Sequence, residues 1–165
     1  MNTPNKDNFT ELLKADFAEG IINSSLEYDI LCVEVKNEIA HDVISSLKEK
    51  HGFAFLTSLN AMHFPDLKSK FGMVYHLHNL PQNLVVRVKS FGNNEHPQFK
   101  SLCDIFPSAN WMERQEYDFF GFHFDGHPNL KRILNMDSLE GWPLRKEYPL
   151  EDQTRTDKDD RMFGR

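Results

Sequence analysis

Three side chains in one short stretch are of the types that hold a metal and activate water: His123, Asp125 and His127. Two histidines four positions apart share a face only on a helix, where zinc hydrolases set them beside a catalytic carboxylate. Here Gly121, Gly126 and Pro128 interrupt the segment, so helical spacing is not expected. The alternative is a turn whose imidazoles hydrogen-bond backbone carbonyls. His76 and His78 fall on the same side of a strand, but two ligands are one or two short of a site. Cys32 and Cys103 are far apart, with no Cys-x-x-Cys anywhere, whereas an iron–sulfur cluster takes about four thiolates. Both read as small core hydrophobes, Cys32 in the apolar run from Ile30 to Val33 and Cys103 on an apolar stripe. No glycine-rich phosphate loop follows a strand, and no Gly-x-Ser-x-Gly elbow occurs. The residues therefore point to no catalytic, cofactor-binding or metal site in this chain.

A second group is charged rather than nucleophilic. Glu113, Arg114, Gln115, Glu116 and Asp118 follow a capping residue, Ser108 or Asn110, on a helix that Gly121 ends. Arg114 and Asp118 have the i,i+4 spacing of a helical ion pair. A solvated helix face would be the simple reading, but Trp111, Tyr117, Phe119 and Phe120 interleave the charges on every side. A helix apolar all round is buried all round. Its charges then need specific partners, since an unpaired buried charge costs several kcal/mol. That favours a packed joint. Further on, Arg145-Lys146 follows Gly141-Trp142-Pro143-Leu144, a basic point beside an aromatic, suited to an acidic groove on a partner.

These groups need elements to position them. Phe9, Leu12, Leu13 and Phe17 recur at helical spacing over about residues 8–18. Ile21-Ile22 and Asp29–Val35 read as strands, and a helix capped by Asn37 carries Ile39, Val43, Ile44 and Leu47 to a stop at Gly52. Phe53–Leu59 reads as strand. Residues 72–80 and 83–89 form a hairpin, the second strand alternating Leu84, Val86, Val88 against Val85, Arg87, Lys89. Phe99, Leu102, Cys103 and Phe106 predict a helix over 98–106, stopped by Pro107. This order implies an α+β fold, a small mixed or antiparallel sheet with helices on one face. Pro128, Pro143 and Pro149 deny the later stretch long helices or central strands. The expected division is an α/β domain over residues 1–121 and an extended, proline-rich partner-binding segment over 122–165 with a charged tail.

Composition bounds the remaining classes. With 165 residues the chain suits one domain, and a net charge of -6 argues against nucleic acid. No apolar run approaches the ~20 residues of a membrane helix, and the first residues lack an apolar signal core. A soluble protein of a prokaryotic cytoplasm is expected.

Two motifs carry a resemblance. Asn110-Trp-Met-Glu113-Arg114-Gln-Glu-Tyr117-Asp118-Phe-Phe-Gly121-Phe-His-Phe124-Asp-Gly126-His127-Pro128-Asn-Leu130-Lys-Arg132-Ile133-Leu134 resembles the signature of the 30 kDa (or C) subunit family of respiratory complex I. Gly141-Trp-Pro143-Leu144-Arg145-Lys146-Glu-Tyr148-Pro149-Leu150 resembles that family's closing motif, and Tyr75-His-Leu77 with the hairpin to Val88 also fits. The likeness covers about residues 50–150. Gln115 stands where the family has Glu, and Glu147 where it has Asp, which puts an ionic role at position 115 in question.

The resemblance implies a peripheral-arm subunit of proton-translocating NADH:quinone oxidoreductase, a scaffold without catalytic residues. It implies a small α/β sandwich whose carboxy-terminal segment runs along the large D subunit, the main contact, with the B and I subunits nearby. FMN and iron–sulfur clusters would reside in partner subunits, and the chain would meet the membrane only through the complex, on the cytoplasmic side of a bacterial inner membrane. Glu113, Arg114, Asp118, His127, Arg132, Arg145 and Lys146 are the expected intersubunit or joint-locking residues. The alternatives are the equivalent subunit of a membrane-bound hydrogenase or formate hydrogenlyase, and an autonomous metal-dependent hydrolase using His123, Asp125 and His127.

Overall fold

The computed structural model describes residues 11, 15–17, 19–92 and 96–148. Their order is β1 (Ile21–Glu27), β2 (Ile30–Lys36), α1 (Asn37–His51), β3 (Phe55–His63), β4 (Phe71–Asn79), β5 (Leu84–Phe91), β6 (Gln98–Lys100), α2 (Ala109–Phe120) and β7 (His123–Asp125). The helix expected over 8–18 falls mostly outside the described residues, of which 11 and 15–17 are helical. The charged tail over 151–165 lies outside them entirely.

Five strands form one mixed sheet in the order β1-β2-β5-β4-β3. β1 turns into β2 through Tyr28 and Asp29, both at positive φ (50° and 64°), the conformation a two-residue hairpin requires. β4 and β5 are the expected antiparallel hairpin, with Tyr75 opposite Val88 and Leu77 opposite Val86. β5 then pairs in parallel with β2, setting Val86 and Val88 beside Leu31 and Val33. The alternation along β5 thus continues across three strands as one apolar face, which α1 covers with Ala40, Val43, Ile44 and Leu47. Fully burying each such aliphatic side chain is worth about 1.5–3 kcal/mol. Gly52 ends α1 in the left-handed region, at φ 72°. This is the α+β architecture expected.

The opposite face is polar. Ser58, His76, Arg87, Cys32 and Ser25 stand in one row across all five strands. Arg87 Nε donates to His76 Nε2 at 2.8 Å, so His76 carries its proton on Nδ1 and donates to Ser58 Oγ at 2.9 Å. Arg87 also reaches Glu27 at 3.2 Å. Burial and the Arg87 charge hold the His76 imidazole below its usual range, in keeping with a satisfied neutral histidine.

One expected helix is absent. Residues 98–100 are the strand β6, which pairs in parallel with β7, and a single turn around Leu102 follows. Phe99, Leu102 and Phe106 still point inward, because a strand and one turn present them to the core as a helix would. Two strands also run further than their apolar residues suggested. β1 continues to Glu27 through the polar Asn23-Ser24-Ser25, and β3 continues to His63. Backbone pairing with β2 and β4 overrides local preference there. Beyond Gly121 the chain enters the core at once, with Phe122 and Phe124 buried against Phe99.

Candidate functional site

α2 positions the charged group. Ser108 precedes it and Gly121 closes it at φ 71°, its N–H bonded to the Tyr117 carbonyl at 2.9 Å. Glu113, Arg114, Glu116 and Asp118 are all buried. Their partners are largely main-chain groups of three other segments. Glu113 accepts the Leu102 amide and the Ser101 hydroxyl, both at 2.6 Å, fixing the turn after β6. Glu116 accepts the Ala61 amide at 2.8 Å, covering a backbone group on the edge strand β3.

The other two charges hold a single loop from both ends. Arg114 donates to the carbonyls of Lys131 and Arg132, each at 3.0 Å. Asp118 accepts the amides of Ile133, Leu134 and Asn135 at 3.1, 2.8 and 2.9 Å, and the Asn135 side chain at 3.1 Å. The i,i+4 pair expected between Arg114 and Asp118 is replaced by this division, because each finds a ladder of backbone groups within reach. Among the described residues Asp118 has an ion pair with Arg132, at 3.9 Å.

Burial separates these carboxylates electrostatically. It raises Glu113 above the usual glutamate range against the pull of its hydrogen bonds. It raises Glu116 to about 7, since one backbone amide and Gln115 offset little of the desolvation. For Asp118 burial also pushes upward, but the amides of Asn135, Leu134 and Ile133 and the Asn135 side chain outweigh it and hold the carboxyl low.

The closing segment is latched separately. Arg145 lies with its guanidinium 4.8 Å from the Phe71 ring centroid and donates to the Phe120 carbonyl at 2.6 Å. Trp142 packs on Gly121, where an added Cβ would sit 2.3 Å from the indole. Arg132 stacks over Trp142 at 5.0 Å and donates to the carbonyls of Met136, Leu139 and Gly141. The Lys146 side chain is exposed, while its backbone amide donates to His63 Nδ1 at 3.0 Å. His63 stacks on Phe71 with centroids 4.3 Å apart.

His127 is a turn histidine, as the proline and glycines around it imply. Its Nε2 faces the Asn110 carbonyl at 3.1 Å and its Nδ1 accepts the Asn129 amide at 3.0 Å. His123 and Asp125 are exposed on β7, 3.5 Å apart. Among the described residues His127 clusters instead with Cys103 and Glu113, so the hydrolase triad is not assembled. The loops that α2 and the latch hold in place display Leu134 (69% exposed), Met136 (73%), Leu144 and Tyr148, and Trp111 of α2 (61%) is exposed under Arg114. Rigid backbone under exposed apolar side chains is the form of a docking surface.

The family model described as "Respiratory-chain NADH dehydrogenase, 30 Kd subunit" matches residues 33–154. The chain belongs to this family. The C subunit of NADH-quinone oxidoreductase from Moorella thermoacetica is 38% identical over 145 residues, covering 88% of this chain and 96% of that one. Its counterpart in Citrifermentans bemidjiense is 36% identical over 139 residues, covering 84% and 86%. Among solved structures, a trypsin-resistant fragment (1–134) of Nqo5 superposes with a TM-score of 0.66 at 27% identity, over 76% of this chain and 98% of the fragment. A chain of an archaeal membrane-bound sulfane sulfur reductase shares the fold, with a TM-score of 0.76 at 21% identity over 88% and 86%.

The 30 kDa-subunit match therefore runs from within β2 through β7, taking in both helices and both latched loops. Within it, Glu116, His63, Trp142, Ser101 and Asn135 do site work that sequence reasoning did not assign. Trp142 had a signal in the Trp-Pro before a basic pair, and Glu116 in its place among the charges of α2. Glu116 and His63 meet distant backbone amides, at Ala61 and Lys146, while Ser101 and Asn135 meet the carboxylates of Glu113 and Asp118.

Proposed function

We propose that this chain is a peripheral-arm subunit of a hetero-oligomeric, proton-translocating NADH:quinone oxidoreductase, where it scaffolds the junction of the electron-transfer and quinone-binding subunits. Family membership supports the complex, and the buried charges of α2 support the scaffold. One observation carries the reading: Arg114 and Asp118 hold residues 131–135 entirely by hydrogen bonds so that Ile133 and Leu134 face outward. The large D subunit is the main neighbour of this surface, with the B and I subunits close by. FMN and iron–sulfur clusters belong to partners, and this chain carries no catalytic residue. None of the described helices is long and apolar enough to cross a membrane, and the complex holds the chain on the cytoplasmic side of the bacterial inner membrane.

Arg145→Ala removes the bond to the Phe120 carbonyl and the cover on Phe71. It is expected to lower the yield of assembled complex several-fold on native gels, with turnover per assembled complex unchanged. Full assembly with lost turnover would overturn the scaffold reading. The polypeptides that co-purify distinguish a quinone reductase from a hydrogenase. Residues 128–148 are expected to be cut by protease more slowly in the complex than in the free chain; equal rates in both states would remove the docking role.

A further inference from the structure

Glu113 is fully buried, and among the described residues no lysine or arginine pairs with it. Buried charges are normally paired or coordinate a cation. Two other ligand types converge on this carboxylate. Cys103 Sγ lies 3.6 Å from Oε2, and a ring nitrogen of His127 completes a group whose three ligating atoms are all within 4.8 Å of one another. They come from three segments: the turn after β6, helix α2 and the loop after β7.

We propose that Cys103, Glu113 and His127 form a binding site for a divalent cation of the zinc class. Thiolate, carboxylate and imidazole together are the borderline donor set that favours zinc over magnesium or calcium. Metal–ligand bonds of about 2.0–2.3 Å put tetrahedral donors roughly 3.3–3.8 Å apart, so the group closes around an ion by small side-chain shifts. The supporting contacts are present. The Ser101 hydroxyl and Leu102 amide hold the carboxylate, and the Cys103 amide donates to Ser101 Oγ at 3.2 Å. Nδ1 of His127, the nitrogen that accepts the Asn129 amide, gives up that contact to the ion, while Nε2–H keeps its bond to the Asn110 carbonyl and fixes the ring. On binding, the thiol releases its proton to solvent, and water fills the fourth position. The ion ties three segments of the joint together and takes no part in electron transfer.

The test is cobalt(II) titration of the metal-stripped full chain. One equivalent should bind with a thiolate-to-cobalt charge-transfer band, and zinc should displace it. Cys103→Ser and His127→Ala should each weaken uptake at least tenfold and abolish or shift the band, with circular dichroism confirming the fold; Cys103→Ala replaces the serine variant if that one misfolds. Absence of stoichiometric uptake overturns the site. So does uptake that Cys103→Ser leaves unchanged, which would place the ion elsewhere, for example on exposed His123 and Asp125.

Discussion

Asp118→Ala is expected to destabilise the chain by about 3 kcal/mol and to release residues 131–136 from the body of the molecule. The side chain is fully buried and accepts four hydrogen bonds, three of them from consecutive amides. A hydrogen bond to a charged group contributes roughly 1.5–3 kcal/mol, and buried donors left without an acceptor add a desolvation penalty. The loop recovers part of the loss by moving into water, which keeps the total near the upper range for single substitutions. Hydrogen exchange should accelerate sharply at Ile133, Leu134 and Asn135. The pH dependence has a definite sign. The folded carboxyl titrates below its ordinary value of 3.8, so its contribution is complete above pH 3.8 and is lost as pH falls through the lowered folded value. The gap between wild type and Asp118→Ala should therefore close in acid. A loss under about 0.5 kcal/mol, with exchange unchanged, would mean the loop is held by something else.

The second large effect runs the other way. Glu116→Gln should stabilise the chain at pH 8 and leave it nearly unchanged at pH 4. Burial raises the Glu116 carboxyl from 4.5 to about 7, so between these values the folded state binds more protons than the unfolded one. Stability then falls as pH rises through that window, by up to roughly 3 kcal/mol if the whole shift is expressed. Glutamine keeps an oxygen for the Ala61 amide and never ionises. Denaturant titrations at the two pH values decide it. If Glu116→Gln is less stable than wild type at pH 8, the charge–amide bond outweighs desolvation and the proton-linked reading fails.

α2 was legible because it is local. Its interleaved aromatics and its terminal glycine at position 121 marked a packed helix whose charges need partners, although the side chains it buries are those charges themselves, while Trp111 is exposed and Tyr117, Phe119 and Phe120 are half-buried. The partners were not legible. A backbone amide at Ala61 or a carbonyl at Lys131 has no residue-type signature, so Arg114 and Asp118 looked like each other's natural mates. Phe99, Leu102, Cys103 and Phe106 fit a helix by spacing alone. What selects a strand and a turn is Glu113, whose carboxylate takes the Leu102 amide, together with the pairing of Phe99 with Phe124. The hairpin of β4 and β5 was visible from the alternation along β5. The parallel pairing of β2 with β5 was not, since α1, β3 and β4 intervene and no local feature marks it.

Arg114 and Asp118 hold the 131–135 loop mainly through its main chain, with the Asn135 amide hydrogen-bonded to Asp118 and the Arg132 guanidinium 3.9 Å from it. The side chains at Ile133, Leu134 and Met136 are therefore uncoupled from the stability of the platform beneath them. Substitutions there can drift with a changing neighbour, generation after generation, without endangering the subunit's own fold. A clamp blind to side-chain identity separates the evolution of fit from the evolution of folding.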